Sequence, residues 1–515
     1  MESYNAGLFS NVSPNVIYVC WSFIAAYSVL SYLKAKRSPL NNIPTIGHSG
    51  PLTSYITAME WMSRGGELIQ EGYEKFQGRP FKVATMSRWV VVISGKQYIN
   101  ELCKAPDDVL SFNEPSIEAT QGDYTLGPGL LAHPHHIATI RSSVTRNLGV
   151  KFGDIKDEVV ESFKTYITPT NEGWATVPGY ETLLHVVCRT INRYLIGLPL
   201  CRNPRYRFIN EQFTNDTVTT AKIISMFPNF LKPLVGKCLT TVAKKIGETE
   251  KLLRPLIEER LMRRQQSENS PDAHNDVISW LMGSATKDYH LSIRDIVLRI
   301  LIINFTAVHT STMGLVQSVY DLAIHPEYVT ELREEIEMVI AEDGWSRQAL
   351  QKMHKVDSFL KESFRLHNAA AFLMVRKTRK DWRFSDGTTI PPNVYVGVAT
   401  EAMNKEEAIY QDAHKFNGFR FVPQKLSKSD TESKHDSNPL VSLSSEYIVF
   451  GNGRHACPGR FLAANTVKTV FTYIVLNYDV QLENGSLKRP PNIRFGTSII
   501  PNQEAKLMFR KRVED

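Results

Sequence analysis

The sequence predicts a mainly α-helical fold with small β-sheets. A series of amphipathic helical patterns fills residues 154–262, and a long apolar helical pattern covers residues 293–324. The strand-like runs are short by comparison, at 81–85 and 89–93 and within 492–507. Because the helical patterns are long and the strand-like runs are few and short, we expect more of the chain to be helical than to be in strands.

The composition is that of a globular protein with a basic balance. The chain has 515 residues, of which 42% are hydrophobic and 22% charged, with a net charge of +7. An anionic membrane surface or an acidic partner fits this charge, while the lack of a dense Lys/Arg block with interleaved aromatics disfavours nucleic acid. The six cysteines show no paired spacing, so zinc, thioredoxin-like and c-type haem sites are unsupported and a reducing compartment is expected.

The N-terminal 37 residues are predicted to be a membrane anchor. Residues 16–33 form an uncharged, mostly apolar run, and spanning a bilayer takes about 17–25 residues. A cleaved signal peptide would carry positive charge before the run, whereas here the basic residues follow it. The positive-inside rule then places the N-terminus in the lumen and the rest of the chain in the cytosol. Three serines within the run leave an interfacial helix as the alternative.

Residues 38–51, rich in Pro and Gly, are predicted to form a stiff hinge between the anchor and a single domain over 52–515. Two long loops are expected within that domain. Residues 107–134 lack periodicity, and such long loops are often binding loops or lids. Residues 424–438 are polar, mixed in charge and expected to be mobile.

A glycine-rich segment with one cysteine precedes the last long helical pattern, which covers 460–476. It reads Phe-Gly-Asn-Gly-Arg-His-Ala-Cys-Pro-Gly from position 450. Pro458 is suited to a first helical position, which places Cys457 just before a helix N-terminus. Amide N–H groups and the helix dipole favour a thiolate there. The two glycines and the ring of Phe450 suit close packing on a flat group, so the segment predicts one sulfur ligand presented to a planar cofactor.

Two simpler interpretations compete for this segment. A lone cysteine is most often a small buried hydrophobe, and a Gly-rich turn before a helix often cradles phosphate. The phosphate interpretation fails because neither G-x-x-x-x-G-K nor a strand with G-x-G-x-x-G is present. The segment resembles the haem-ligand loop of the cytochrome P-450 family, Phe-Gly-x-Gly-x-Arg-x-Cys-x-Gly. It departs where His455 replaces an arginine that contacts a haem propionate in the family; His455 or Arg454 could donate that hydrogen bond instead.

The long helix is predicted to begin after Ser292, which forms a capping pair with Asp295, and to end at residue 324. Its middle, 304–312, is unusually rich in hydroxyls for a buried helix. These side chains either bond back to carbonyls one turn earlier as satisfied core polars, or line a groove for oxygen and water.

That stretch resembles the family's oxygen-binding motif, with Ala307 and Thr310 in register and His309 in place of the acid. The resemblance implies that Thr310 steadies bound oxygen and passes protons. His309 could assist, because histidine exchanges protons near neutral pH. A structural histidine is the alternative.

Glu362 and Arg365 lie one turn apart on a predicted helix, 358–367, among large apolar residues. Such a pair is usually a surface ion pair, but these neighbours indicate burial, where each charge needs partners. The pair resembles the family's Glu-x-x-Arg motif. Its third member is Arg420, within a pattern that carries Gly418 in place of proline, so a structural triad behind the haem-ligand loop is expected.

Other site residues follow from the resemblance alone. Arg141, on a helix predicted over 136–148, and Arg376 are candidate haem-propionate partners. A solvated basic face, or a dock for an acidic electron donor, remains open for Arg141. The substrate pocket is expected to be apolar and to include four residues: Phe305, Ala370, Phe372 and Ile499.

The resemblance implies a cytochrome P-450 fold with one N-terminal transmembrane anchor helix. Haem b with Cys457 as axial ligand would use O₂ and electrons from NADPH, delivered by NADPH–cytochrome P-450 reductase, to oxidise a lipophilic molecule such as a terpenoid or other secondary metabolite. The implied location is the endoplasmic reticulum membrane, single-pass, with a cytosolic catalytic domain. The alternatives are a sterol-type enzyme of primary metabolism, a haem-thiolate isomerase and a non-catalytic haem protein.

Overall fold

The computed structural model describes residues 36–512 apart from 128–129, 131–132, 169–172, 240, 267–274, 285–290 and 424–438. The predicted anchor run and the predicted polar insertion lie outside the described residues. Helices predominate, as the sequence predicts.

The helices are α1 (Ser54–Phe76), α2 (Lys96–Lys104), α3 (Asn113–Thr120), α4 (Gly122–Thr125), α5 (His135–Thr139), α6 (Phe152–Tyr166), α7 (Gly179–Leu195), α8 (Pro204–Ser225), α9 (Lys232–Leu239), α10 (Val242–Gln266), α11 (Val277–Ser284), α12 (Ile293–Ile324), α13 (Val329–Asp343), α14 (Arg347–Lys352), α15 (His354–Leu366), α16 (Thr400–Asn404) and α17 (Arg460–Asn477). The strands are β1 (Thr45–Ile46), β2 (Phe81–Ala84), β3 (Trp89–Ile93), β4 (Leu110–Ser111), β5 (Trp174–Pro178), β6 (Phe372–Thr378), β7 (Trp382–Arg383), β8 (Thr389–Ile390), β9 (Tyr395–Ala399), β10 (Tyr478–Leu482), β11 (Ile493–Phe495), β12 (Ser498–Ile500) and β13 (Lys506–Lys511).

The strands form one mixed sheet and three smaller antiparallel ones. The six-stranded sheet has the order β1-β2-β3-β9-β6-β4, in which β1 pairs parallel with β2 and β3 parallel with β9. A three-stranded sheet, β10-β13-β5, joins the C-terminus to a strand between α6 and α7. Two hairpins, β7-β8 and β11-β12, complete the set among the described residues.

The main hydrophobic core lies where α12 packs against α7 and α17, with α6 behind α7. A second apolar cluster includes side chains of the six-stranded sheet, and a third lies between that sheet and α1. Helix α12 begins and ends where the sequence predicts, and Ser292 and Asp295 form the predicted capping box. Among the described residues α12 is also the one helix long and apolar enough to cross a membrane, although most of its apolar stretch is buried inside the protein.

Four local predictions need correction. Residues 107–134 are not one long loop, because β4, α3 and α4 lie within them as short elements without clear periodicity. Strand β5 interrupts the helical series 154–262. The predicted helix 136–148 contains α5 followed by a π-helical turn, Ile140–Val144. Helix α17 begins at Arg460, so Pro458 precedes its N-cap residue and does not occupy the first helical position.

Candidate functional site

Cys457 lies in a turn whose amides converge on it. Its backbone N–H donates to the Phe450 carbonyl at 2.8 Å, which closes the loop. The N–H groups of Gly459 and Arg460 donate to the sulfur. Burial raises the pKa of the Cys457 thiol, while these amides and the Arg460 charge act against the rise. Although Pro458 is not the first helical residue, the sulfur receives amide N–H groups at the start of α17.

Gly451 and Gly453 give the loop its shape. Their φ angles are +70° and +66°, a left-handed conformation that other residues adopt at a cost. A Cβ at Gly453 would also lie 2.7 Å from the Cβ of Cys103. The glycines therefore fix the path of the loop and allow it to lie against α2.

The middle of α12 has one face that its neighbours leave open. Thr306 and Thr310 are exposed in the middle of this helix, where the other residues are buried or half-buried. The Thr310 hydroxyl donates to the Thr306 carbonyl at 2.6 Å, and that of Thr306 donates to the Ile302 carbonyl at 3.1 Å, which confirms the predicted back-bonding. Exposure confined to one stripe of a core helix indicates that this stripe lines an internal space.

One aromatic residue connects that stripe to the cysteine loop. Gly314 lies one turn beyond Thr310 on the same face, and a Cβ there would lie 2.6 Å from the Phe364 ring. The Phe364 ring in turn lies 6.4 Å from the Phe450 ring, centroid to centroid. Thr310 and the loop that carries Cys457 therefore lie on either side of the same aromatic contact.

His309 points in another direction, towards α7 and α8. Its Nε2 lies 2.7 Å from the Glu211 carbonyl, which can only accept, so Nε2 carries the proton. Its Nδ1 then accepts from the Tyr180 hydroxyl at 3.3 Å. Burial lowers the pKa of His309, which favours this neutral form. Both ring nitrogens are engaged, an arrangement that favours the structural alternative.

Two arginines anchor the outside of the cysteine loop. Arg454 donates to the Ala105 carbonyl at 2.7 Å, at the end of α2. Arg141 donates to the Arg454 carbonyl at 2.8 Å. The structure thus brings both residues to the loop, where each is bound to backbone.

His455 and Arg376 share one aromatic neighbour. The His455 ring stacks on the Phe112 ring at 4.7 Å, and its Nε2 lies 2.6 Å from the Asp107 carboxylate. The Arg376 guanidinium lies 5.0 Å from the same Phe112 ring. Burial lowers the pKa of His455, and Asp107 opposes that effect.

Arg376 is a buried cation that forms no ion pair with a described carboxylate, although the Asp107 carboxylate exerts an electrostatic influence on it. It is 2% exposed, and no described carboxylate lies within 4.0 Å of it. Its guanidinium donates to the Val375 carbonyl at 3.0 Å, and burial lowers its pKa to about 10. A buried charge of this kind needs an anionic partner. The donor set fits the propionates of a haem.

The charges around Glu362 are fully paired. Arg365 donates to both carboxylate oxygens, at 2.7 and 2.8 Å, and the Arg420 Nε lies within hydrogen-bond distance of both, at 3.0 and 3.1 Å. The remaining Arg365 donor reaches the carbonyls of Asn404 and Ala413. Glu362 and Arg365 are buried, so the structure brings the predicted triad together inside the protein.

The predicted pocket residues fall into two groups. Ala370 bridges to Ser498, and Ile499 donates its N–H to the Ala369 carbonyl at 2.9 Å, so these two segments meet. Phe305 is half-buried on α12. The expectation for Phe372 was wrong: strand alternation turns its ring into the core between the sheet and α1, against Trp61.

Asp107, Phe112 and Tyr180 belong to this site but were missed from the sequence. The first two lie in the segment interpreted as a loop, and Tyr180 lies in the helical series. No motif marks them, because each acquires its role from a partner far away in the chain.

Comparisons with known proteins agree with this geometry. The cytochrome P450 family model matches residues 49–509. Cytochrome P450 monooxygenase 151 of Postia placenta is 38% identical over 500 residues, covering 97% of this chain and 99% of the relative. Cytochrome P450 monooxygenase CYP512U6 of Ganoderma lucidum is 31% identical and covers 95% of each chain; monooxygenase janQ of Penicillium janthinellum is 32% identical and covers 92% and 94%. The chain therefore belongs to the cytochrome P450 family and is a haem-thiolate monooxygenase.

Proposed function

We propose that Cys457 is the axial thiolate of a haem b and that the protein oxidises a lipophilic small molecule. The observation that carries this proposal is the convergence of two amide N–H groups on the Cys457 sulfur, within a loop shaped by two left-handed glycines. A thiolate-bound haem supplies activation of O₂ with electrons from NADPH. The protein's own residues hold the group, orient the substrate and move protons.

The basic residues beside the loop hold the haem carboxylates. Arg376 provides the buried cation, and His455 adds a donor at Nδ1 only in its doubly protonated form, since its Nε2 proton is donated to Asp107. Arg141 and Arg454 lie at the outer edge, where they fix the loop through backbone carbonyls. His455, which stands where the family has an arginine, is therefore held in place by its stack on Phe112 and its hydrogen bond to Asp107.

Thr310 is the residue that delivers protons. Its hydroxyl faces the open stripe of α12 while bonded to the Thr306 carbonyl. His309 does not face that stripe, because Tyr180 and the Glu211 carbonyl engage both ring nitrogens. Its contribution is to hold α12 against α7 and α8, which positions Thr310.

The substrate is lipophilic, and we assign it to secondary metabolism, for example to the terpenoids. Phe305 and Ala370 are half-buried and offer apolar surface without a charged group, and the buried Ile499 packs beside Ala370. A substrate that is held by such residues gains affinity mainly from burial of apolar area.

A membrane location in the endoplasmic reticulum, through an anchor over residues 1–37, is supported by exposed apolar side chains. The start of α1 exposes Tyr55 and Met59, and the segment after α8 exposes Met226 and Phe230. Hairpin β11-β12 joins the two regions, since it contacts α1 and its Phe495 lies 4.5 Å from the Lys222 ammonium group. Continuous apolar surface of this kind suits a bilayer.

The electron donor is an acidic flavoprotein, the NADPH–cytochrome P450 reductase. A surface hollow of 290 Å³ lies beside the cysteine loop and is lined by Arg141, Arg454 and Arg460. Positive charge there attracts an acidic partner to the side of the loop that leads to Cys457.

The test is a reduced carbon-monoxide difference spectrum of the wild type and of Cys457→Ser. The wild type is expected to give the spectrum typical of a thiolate-bound haem. The variant is expected to lose both this spectrum and all turnover. NADPH-dependent incorporation of labelled O₂ with a reconstituted reductase then distinguishes a monooxygenase from an isomerase or a haem carrier. A thiolate spectrum in Cys457→Ser would contradict the ligand assignment.

A further inference from the structure

A cavity of 410 Å³ lies between α14, the start of α15 and α17, and the proposed reaction does not use it. Sites for small molecules have volumes of about 300–1,000 Å³ and are mostly apolar with a few placed polar groups. The apolar lining consists of Leu350, Leu440, Val441, Phe461 and Ala464.

The charged pair at this cavity is already satisfied. Lys468 lies 2.9 Å from the Asp357 carboxylate, and both side chains are buried. The Lys468 ammonium group also donates to the Leu350 and Met353 carbonyls. Its three protons are therefore used, and the charge of Asp357 is neutralised, so neither residue governs what enters.

Of the other polar side chains in the lining, Gln351 and His354 are exposed, which leaves Asn465 and Arg347 as the donors that are not exposed. The Asn465 Nδ2 is buried and has no acceptor among the described residues, and the residue is only 7% exposed. Arg347 also lines the cavity, and no described carboxylate lies within 4.0 Å of it. Buried polar groups are nearly always hydrogen-bonded, so an unmet donor facing a cavity indicates a missing acceptor.

We propose that this cavity binds a small amphiphile with a carboxylate head. The carboxylate accepts from Asn465 and pairs with Arg347, while the alkyl part packs on Leu350, Val441 and Phe461. A cationic head would leave Asn465 unsatisfied and would meet Arg347. The cavity therefore selects anionic over neutral amphiphiles and neutral over cationic ones of equal length.

The experiment titrates the haem-loaded protein with octanoate, octanol and octylamine by calorimetry. Octanoate is expected to bind saturably and most tightly, and octylamine least. Asn465→Leu keeps the volume but removes the donor, and is expected to weaken octanoate binding about tenfold while leaving octanol unchanged. Asn477→Leu, on α17 but outside the cavity, is the matched control and is expected to bind like the wild type.

A second variant, Val441→Trp, fills the cavity from its half-buried rim. It is expected to abolish octanoate binding while the thiolate spectrum stays intact. Octanoate binding that survives both variants would place the ligand elsewhere, for example in the substrate pocket, and would overturn the proposal. No octanoate binding to the wild type would show that water alone satisfies Asn465, and would overturn it as well.

Discussion

Two groups of buried arginines in this protein differ in how their charge is balanced. Around Glu362, the guanidiniums of Arg365 and Arg420 meet a carboxylate and several carbonyls, so that no outside group is needed. Arg376 is equally buried, yet its described partners are one backbone carbonyl and the face of an aromatic ring. The charges of the first group are balanced by the protein's own residues, whereas the charge of the second is balanced only when an anion is bound.

The difference separates residues that stabilise the fold from residues that hold a ligand. A finished network contributes rigidity, and removing one member leaves buried charge without a partner. A network that lacks a partner for a buried charge lowers the stability of the protein until its ligand binds. Arg365 and Arg376 are alike in burial and charge, so only their partners tell them apart. Two substitutions test this distinction, and two further ones test the open stripe of α12 and the contact between α5 and α12; they follow from the largest expected effect to the smallest.

Glu362→Gln breaks the finished network. It leaves the buried guanidinium of Arg365 and the half-buried one of Arg420 without their carboxylate, and we expect a loss of about 3–5 kcal/mol in the free energy of unfolding. Urea denaturation measures it. Glu483→Gln is the control, since its pair with Lys506 is exposed at 2.8 Å and contributes about 0–1 kcal/mol. Equal, small losses in both variants would contradict the structural role of Glu362.

Arg376→Met removes the arginine whose charge has no ion-pair partner among the described residues. Because no described carboxylate pairs with Arg376, the haem-free protein is expected to keep its stability within about 1 kcal/mol. Haem loss to a scavenging apo-globin should become about tenfold faster, since a charge-assisted hydrogen bond is removed. Arg379→Met, which removes an exposed pair with Glu114, is the control and should retain haem normally. Destabilisation of the haem-free form without faster haem loss would give Arg376 a structural role only.

Thr310→Ala tests the open stripe of α12. The variant is expected to retain haem and stability but to release hydrogen peroxide, with product per NADPH reduced about tenfold or more. The ratio of product to NADPH consumed measures this. Thr312→Val is the matched control, because the buried Thr312 hydroxyl donates to the Val308 carbonyl and faces away from the stripe. Full coupling in Thr310→Ala would remove Thr310 from proton delivery.

His136→Gln should change only the pH dependence of stability. His136 Nδ1 accepts from Arg299 at 3.1 Å, which ties α5 to α12, and burial lowers the pKa of His136 to about 4. The unfolded chain, with a pKa of about 6.5, binds the extra proton between these values, so stability falls as the pH drops from about 6.5 to 4. Glutamine keeps an acceptor without titrating, so the variant should lose less stability between pH 7 and pH 5. An unchanged loss in urea denaturation would rule out this contribution.

Local signals predicted much of the architecture. The ends of α12 follow from a capping pair and a His-Pro sequence, and the position of β3 follows from a short apolar run; all of these act within a few residues. The start of α17 at Arg460 agrees with the predicted pattern 460–476, but Pro458 precedes the N-cap residue and is not the first helical residue. Elements without periodicity, such as α3 and α4, left no pattern to find.

The site divides in the same way. The sequence alone determined the cysteine loop, the hydroxyl-rich stretch and the pair Glu362–Arg365, because each is a short pattern whose chemistry depends on residue type and spacing; the resemblance to the family added Arg420. Only the tertiary structure decided that His309 points to Tyr180, that Phe372 enters the core and that Phe112 stacks on His455. The physical reason is that hydrogen-bond and packing partners are set by the folded chain, which brings together residues that lie far apart in the sequence.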